Sequence, residues 1–446
     1  MVLSGSDLSN LMGNIRLSDE GKEALVYLTD GLKSRFAGSE GEKLAANFIK
    51  KKFGEYGLKN LSKEEFTIQG WQRGSTDFTI FSAPDNKFSA IALPYCPSSE
   101  IEGGLIDLKD GLKKDFDRNI KGKIVLVSSR TPSYRDGTLS RGEKYEEAVK
   151  GGAKGFVFID HNPGNLAQTG SLKTNEIGEI PGIGISKETG EKIKRKLKGK
   201  ENLRAEIKVK VKTEKAKSCN VIGEINPGAD PGAEEVILLG GHLDAHDISR
   251  GALDNGAGIA TVLQIASSLT AYESNLEKTV RFAAFGAEEV GLLGSKNYVR
   301  ENGADDVDFM LNFDGPGIAR DLKINTNGFS RTKSWITEFY QDKDSPVIVE
   351  NKVRPDSDHW PFVTRGIPVG QLLPNSAEKG RGWAHTSADT LDKIDFRNIK
   401  ENAAVLTRLI LFLQTKNLSS LRKSPGEIER ICEEENVKYE IDWLKN

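Results

Sequence analysis

The chain has 446 residues, with 63 Lys plus Arg against 65 Asp plus Glu and a formal net charge of −2. So even a balance, without a long block of one sign, excludes a basic arm for nucleic acid or a membrane-surface helix. No apolar run approaches the ~18 residues that a bilayer span needs. A chain of this length can bury a large core and more readily holds two domains than one.

In chain order, the first segment, MVLSGSDLSNLMGNIRLSDEG, reads as a loose leader or short helix without the basic and apolar regions of a secretory signal. Helical patterns follow at EGKEALVYLTDGLKSR and SEGEKLAANFIKKKFGEYGL; in the second, Leu44, Ala45, Phe48, Ile49 and Phe53 share a face and Gly57 is the stop. From Phe66 the pattern becomes strand-like in FTIQGW, DFTIFSA and FSAIALPY. Between Pro97 and Val211 lies a segment of strand, helix, strand and strand with Gly and Pro at the joints, including KGKIVLVSS, FVFID and IPGIGIS. It has its own apolar runs and no cluster of His, Cys or paired acids, which suggests a small domain without chemistry of its own.

Beyond Ser218, strands and helices alternate. VILLGG is a continuous apolar run, as expected of a strand buried on both faces of a parallel sheet. Then come GAGIATVLQIASSLTAY, TVRFAAFG, GLLGSKNYVREN, DFMLNFDG and GIPVGQLLP, an order that predicts an α/β doubly wound, mostly parallel sheet with flanking helices. An amphipathic helix, IKENAAVLTRLILFLQTKNL, and a charged tail close the chain. The expected boundaries are 1–96 and 212–420 for the two parts of the main domain, 97–211 for the inserted α/β domain and 421–446 for the tail.

The three Cys (Cys96, Cys219, Cys432) are scattered and outside any CxxC, so reduced, mostly buried thiols are expected. With no leader or membrane span in view, the expected location is the cytoplasm.

Ligands of open α/β sheets sit beyond the carboxyl ends of the strands. There the polar residues of this chain collect. VILLGG runs into His242 and Asp244, with Asp254 further along GALDNGAG; TVRFAAFG leads to Glu288 and Glu289; DFMLNF ends in Asp314; GIPVGQLL leads through a glycine-rich loop to His385. The chain has only five His. Imidazoles with carboxylates suit Zn²⁺. Two His with three or more acids is too much for one ion and about right for two sharing a bridging carboxylate. The other His have blander readings: His246 in a solvated loop, His161 on the surface of the inserted domain, and His359 either near substrate or in packing. GALDNGAGIA lacks the spacing of a nucleotide-phosphate loop.

GGHLDAH…GALDNGAG, FAAFGAEEVGLLGS, NFDGPG and SDHWPFVTRGIPV…HTSADT, in that order, resemble the M28 zinc peptidases, and the segment between resembles the protease-associated domain often inserted in them. The resemblance implies a fold of the zinc exopeptidase type. It implies His242 and Asp314 on one zinc, Glu289 and His385 on a second, and Asp254 bridging. Glu288 would be the general base and later return the proton to the leaving amine; Asp244 would accept a hydrogen bond from the far nitrogen of His242. The peptide bond Asp254–Asn255 is often cis in this family. Ala384 stands where some members have a Tyr that steadies the oxyanion. The implied activity is a two-zinc aminopeptidase acting on short peptides, with neither nucleic acid nor membrane as partner and a homo-oligomer left open. A carboxypeptidase or dipeptidase would use the same site; an inactive scaffold or a one-zinc acyl transferase is more distant.

Overall fold

The computed structural model describes residues 3–81, 86–132, 139–198, 203–227, 235–303, 305–341, 347–374, 382–439 and 441–444. Its longest elements are two 22-residue strands, Lys59–Ile80 and Arg204–Ile225, paired antiparallel over most of their length. At ~3.3 Å per residue such a ribbon reaches roughly 70 Å. Near its far end, Val221–Ile225 pairs with Thr279–Phe285; nearer its start, Arg204–Val209 pairs with Ser99–Gly104. One ribbon thus joins two halves of a 14-stranded sheet, counted among the described residues. It crosses position 211 without a break. The stretch AEIKVKVKTEKAKS alternates apolar and charged residues because one face of the ribbon packs while the other meets water.

In one half, Val369–Pro374, Phe309–Phe313, Val236–His242 and Thr279–Phe285 lie side by side in that order, all parallel. Every residue of Val236–His242 and Phe309–Phe313 is buried, which is why these stretches read as unbroken apolar runs. Ile237 and Leu239 pack on one face with helices Ala257–Leu269 and Phe396–Gln414; Leu238 packs on the other with Tyr298 and Val299 of helix Leu293–Asn302. From Val236–His242 the chain goes first to one neighbour, Thr279–Phe285, and then to the other, Phe309–Phe313. The carboxyl end of Val236–His242 is therefore a topological switch point.

In the other half, Ile124–Ser128, Gly155–Ile159 and Gly182–Ile185 form a smaller parallel sheet with helices Arg141–Lys150 and Lys187–Lys198. Val125, Phe156, Ile183 and Ile193 belong to its buried cluster. The architecture is the α/β sheet with flanking helices and a smaller α/β unit inserted.

Two local readings need correction. Helix Glu40–Glu55 buries Ala45, Ala46, Ile49 and Phe53, while Leu44 is 41% exposed: the buried stripe runs through Ala46, and Leu44 falls outside it. The first segment takes the second of its two readings, a helix over Gly5–Leu17, with Leu11 and Ile15 fully buried. The charged tail contains helix Pro425–Glu434, opened by a capping box at Ser424 and anchored by buried Ile428 and Cys432. All three Cys are free and buried. Among the described residues no helix is long and apolar enough to cross a membrane.

Candidate metal centre

The four parallel strands release their chains at one edge, and the residues that follow converge there. His242 is the last residue of its strand. Two backbone contacts explain the glycines around it. A Cβ on Gly241 would stand 2.5 Å from the carbonyl oxygen of Phe313, and one on Gly258 would stand 2.2 Å from that oxygen and 2.1 Å from Oδ1 of Asn255. Only glycine lets the Asp254 loop and the strand that ends at Asp314 approach so closely. Asn255 bridges them, donating to the Phe313 carbonyl at 2.7 Å and accepting from Gly258 N–H at 3.2 Å. The Asp254–Asn255 peptide bond is cis.

Asp254 lies between two imidazoles. Its Oδ1 is 3.2 Å from Nε2 of His242, and its Oδ2 is 3.0 Å from Nε2 of His385. Asp314 Oδ1 is 3.7 Å from the same His242 nitrogen, and Glu289 Oε2 is 3.3 Å from the His385 nitrogen. Candidate ligand atoms of His242, Glu288 and Asp314 lie within 4.8 Å of one another, as do those of His246, Glu289 and His385.

Glu288 and Glu289 precede helix Leu293–Asn302. Their loop is held by acids: Glu42 accepts from Ala287 N–H, and the two oxygens of Asp244 accept from Glu288 and Glu289 N–H at 3.0 and 3.2 Å. Asp244 has a further contact, since its Oδ1 is 3.5 Å from Nδ1 of His242, while its own carbonyl is 3.2 Å from that nitrogen.

The chain's own charges shift these groups strongly. Burial raises the pKa of Glu288 well above the usual 4.5, as do Glu289, Asp358 and Asp314, against the pull of His242. Burial opposes charge on His385, yet Glu289 and Asp254 push it up to about 9. Burial would also raise Asp254, but His242 and His385 outweigh it and hold that carboxyl well below 3.8. Carboxylates so crowded either share protons or gather around a cation. The buried His242 Nε2 has no hydrogen bond despite its acidic neighbours, nor does either ring nitrogen of His246. Unpartnered imidazole nitrogens facing carboxylates make a donor set that fits zinc.

His246 departs from the expected solvated loop: it is 1% exposed, with Nε2 3.0 Å from Glu289 Oε2. His359 makes a loop hydrogen bond to the Arg354 carbonyl at 2.8 Å, and His161 is exposed. The loop before His385, residues 375–381, lies outside the described residues.

Sequence reasoning missed the supports. Asp389 is fully buried; it accepts from Leu253 N–H at 2.7 Å and Asp254 N–H at 3.2 Å, so the HTSADT segment carries both His385 and the anchor of the Asp254 loop. Its acid within a quoted motif was the available signal. Arg35 had none: its buried guanidinium donates to the carbonyls of Leu28, Leu243, Arg250 and Gly251. The smaller half also reaches the centre. Thr169 N–H donates to the His385 carbonyl at 2.8 Å, and Ser171 Oγ donates to the Glu289 carbonyl at 2.9 Å.

A doubly wound sheet with this cluster at its switch point is an arrangement suited to a metal-dependent hydrolase, and the comparisons give the class. Peptidase family M28 matches residues 220–410, and the PA domain matches residues 94–193. A probable leucine aminopeptidase 2 of Trichophyton verrucosum is 30% identical over 395 residues, covering 82% of this chain and 74% of its own length. Aminopeptidase YwaD of Bacillus subtilis is 28% identical over 398 residues, covering 86% and 82%. The structure of BSAP, a zinc aminopeptidase from Bacillus subtilis, superposes with TM-score 0.69 at 26% identity, covering 90% of this chain and 97% of that one. The chain belongs to peptidase family M28 and is a zinc metallopeptidase.

Proposed function

We propose that the chain is a two-zinc aminopeptidase of short peptides. His242 and Asp314 would hold one ion, Glu289 and His385 the other, and Asp254 would give one oxygen to each. The observation that carries this reading is the pair of distances from the two Asp254 oxygens to two different imidazoles, 3.2 and 3.0 Å. When bound, zinc supplies Lewis acidity that activates water and polarises the scissile carbonyl at neutral pH.

The protein's part is the proton and the orientation. Glu288 takes a proton from the attacking water and delivers it to the leaving amine nitrogen. Asp244 holds the Glu288 and Glu289 amides, so base and ligand keep a fixed spacing.

The amino end is favoured on two grounds. The relatives are named aminopeptidases. A C-terminal carboxylate would want a cation, yet among the described residues Arg35, buried, and Arg141, half-buried, donate to backbone carbonyls. A crowd of carboxylates suits an α-ammonium instead. The contacts of Thr169 and Ser171 put the smaller half beside the centre, where it would narrow the approach and favour short peptides.

Metal analysis of the purified protein tests the reading: two zinc ions per chain are expected, and removal by a chelator should abolish hydrolysis reversibly. One ion at full activity would overturn it. A tripeptide should be cleaved much faster than a folded protein with an accessible amino terminus; equal rates would refute the narrow approach.

A further inference from the structure

We propose that His246 is a third imidazole ligand, making the Glu289 side of the centre a four-donor site and leaving the His242 side with three. The inference rests on the two-zinc reading and divides its two sites by affinity and role.

The ring of His246 is 1% exposed, and its Nε2 is 3.0 Å from the same Glu289 oxygen that stands 3.3 Å from His385 Nε2. The two imidazoles meet edge to face with centroids 4.5 Å apart. Their candidate ligand atoms and that of Glu289 all lie within 4.8 Å of one another. A histidine serving only as core would bond at least one ring nitrogen, because a buried polar atom without a partner is costly. Neither nitrogen of His246 has such a bond.

The backbone around the ring is fixed from both sides. Ala245 N–H donates to the Arg35 carbonyl at 3.2 Å, and Ser249 N–H donates to the His246 carbonyl at 3.0 Å. The next residue, Asp247, accepts a bidentate pair from Arg73 at 2.7 and 2.6 Å, and Arg73 also donates to Thr169 Oγ1 at 3.1 Å. The ring itself lies over Phe36, with centroids 6.2 Å apart and planes 27° apart. A side chain so held is prearranged as ligands must be.

With His246, the donors on this side are two imidazoles, Glu289 and one oxygen of Asp254. On the other side they are His242, Asp314 and the second oxygen of Asp254. Four protein donors close a tetrahedral zinc site, whereas three leave a position for water. Imidazole-rich sites favour zinc and carboxylate-rich sites tolerate harder ions such as Mn²⁺. The Glu289 side would then fill first and keep its ion, and the His242 side, next to Glu288, would be the exchangeable site where water is activated.

The test counts imidazoles rather than activity. Zinc is removed and returned to one equivalent, and X-ray absorption at the zinc edge should show two imidazoles per ion in the wild type and one in His246→Gln. The first zinc should bind that variant at least ~10²-fold more weakly, above the usual range for losing a group behind a ligand. One imidazole per zinc in the wild type, or an unchanged count in the variant, would overturn the inference. Because the ring is buried, a second measurement needs no substitution. In wild type with ¹⁵N-labelled His and two equivalents of ¹¹³Cd²⁺, three imidazoles should show coupling to the metal. Only two, with both ions bound, would sink the role of His246 and spare the two-metal reading. Saturation at one ion would sink that reading instead.

Discussion

The two halves of the sheet are built alike, yet among the described residues only one gathers a candidate metal centre. Ile124–Ser128 and Gly155–Ile159 are as fully buried as Val236–His242 and Phe309–Phe313, and each pair runs parallel to its neighbours. Gly155–Ile159 is even followed by an acid and a histidine, Asp160 and His161. There the pair goes no further. Asp160 accepts from Asn162 N–H at 2.9 Å, and the exposed His161 contacts Ser129 Oγ at 2.7 Å. In the larger half, four strand ends supply an acid or a histidine to the same few ångströms. Convergence across strands makes the site, and one well-placed pair does not.

The largest contrast should come from Glu288→Gln. That variant is expected to keep its zinc but lose 10²- to 10⁴-fold in kcat, the usual range for losing general acid-base catalysis. Asp160→Asn, the matching change in the smaller half, should leave peptide turnover unaltered. Steady-state kinetics with parallel metal analysis decides both, and unimpaired turnover in Glu288→Gln removes it as the base.

A middle-sized effect is expected where the strand ends meet. Gly258→Ala forces a Cβ against the Phe313 carbonyl and Asn255, costing about 1–3 kcal/mol as overpacking generally does. Because that contact ties the loop of Asp254 to the strand end of Asp314, zinc affinity should fall with stability. A helical glycine with open space around it gives the control: nothing lies within 4 Å of a Cβ on Gly426, and Gly426→Ala should be neutral or slightly stabilising. Equal thermal unfolding temperatures for the two variants would discredit the close-approach argument.

The smallest effect concerns pH. Burial raises the Asp160 carboxyl above its ordinary 3.8, against the bonds from Asn162. A carboxyl with a raised folded-state pKa binds its proton more tightly when folded. Its contribution is complete below 3.8 and is lost as pH rises through the raised value. Asp160→Asn should flatten that decline in urea-unfolding free energy; an unchanged slope contradicts the assignment.

Much of this was legible without coordinates, for physical reasons. Val236–His242 reads as a buried strand because both its faces are covered, and the residues after it stand out because two of the chain's five His fall there among acids. The parallel order then brings the four strand ends to one edge. Other features had no local signal. Arg35 and Asp389 act on backbone groups some 200 and 135 residues away, visible only once the chain is folded. His246 was misjudged because its neighbours Ala245 and Asp247 look like an ordinary polar loop, whereas Arg73 and the Arg35 carbonyl pull that loop inward. The boundary expected at position 211 fell inside one continuous strand, since a two-sided ribbon has no composition break where it changes sheets.

The most direct test follows an unblocked hexapeptide by mass spectrometry as it meets the zinc-loaded protein. A ladder losing residues one at a time from the amino end is the expected result. Loss from the carboxyl end, or no cleavage with two zinc ions bound, would contradict it.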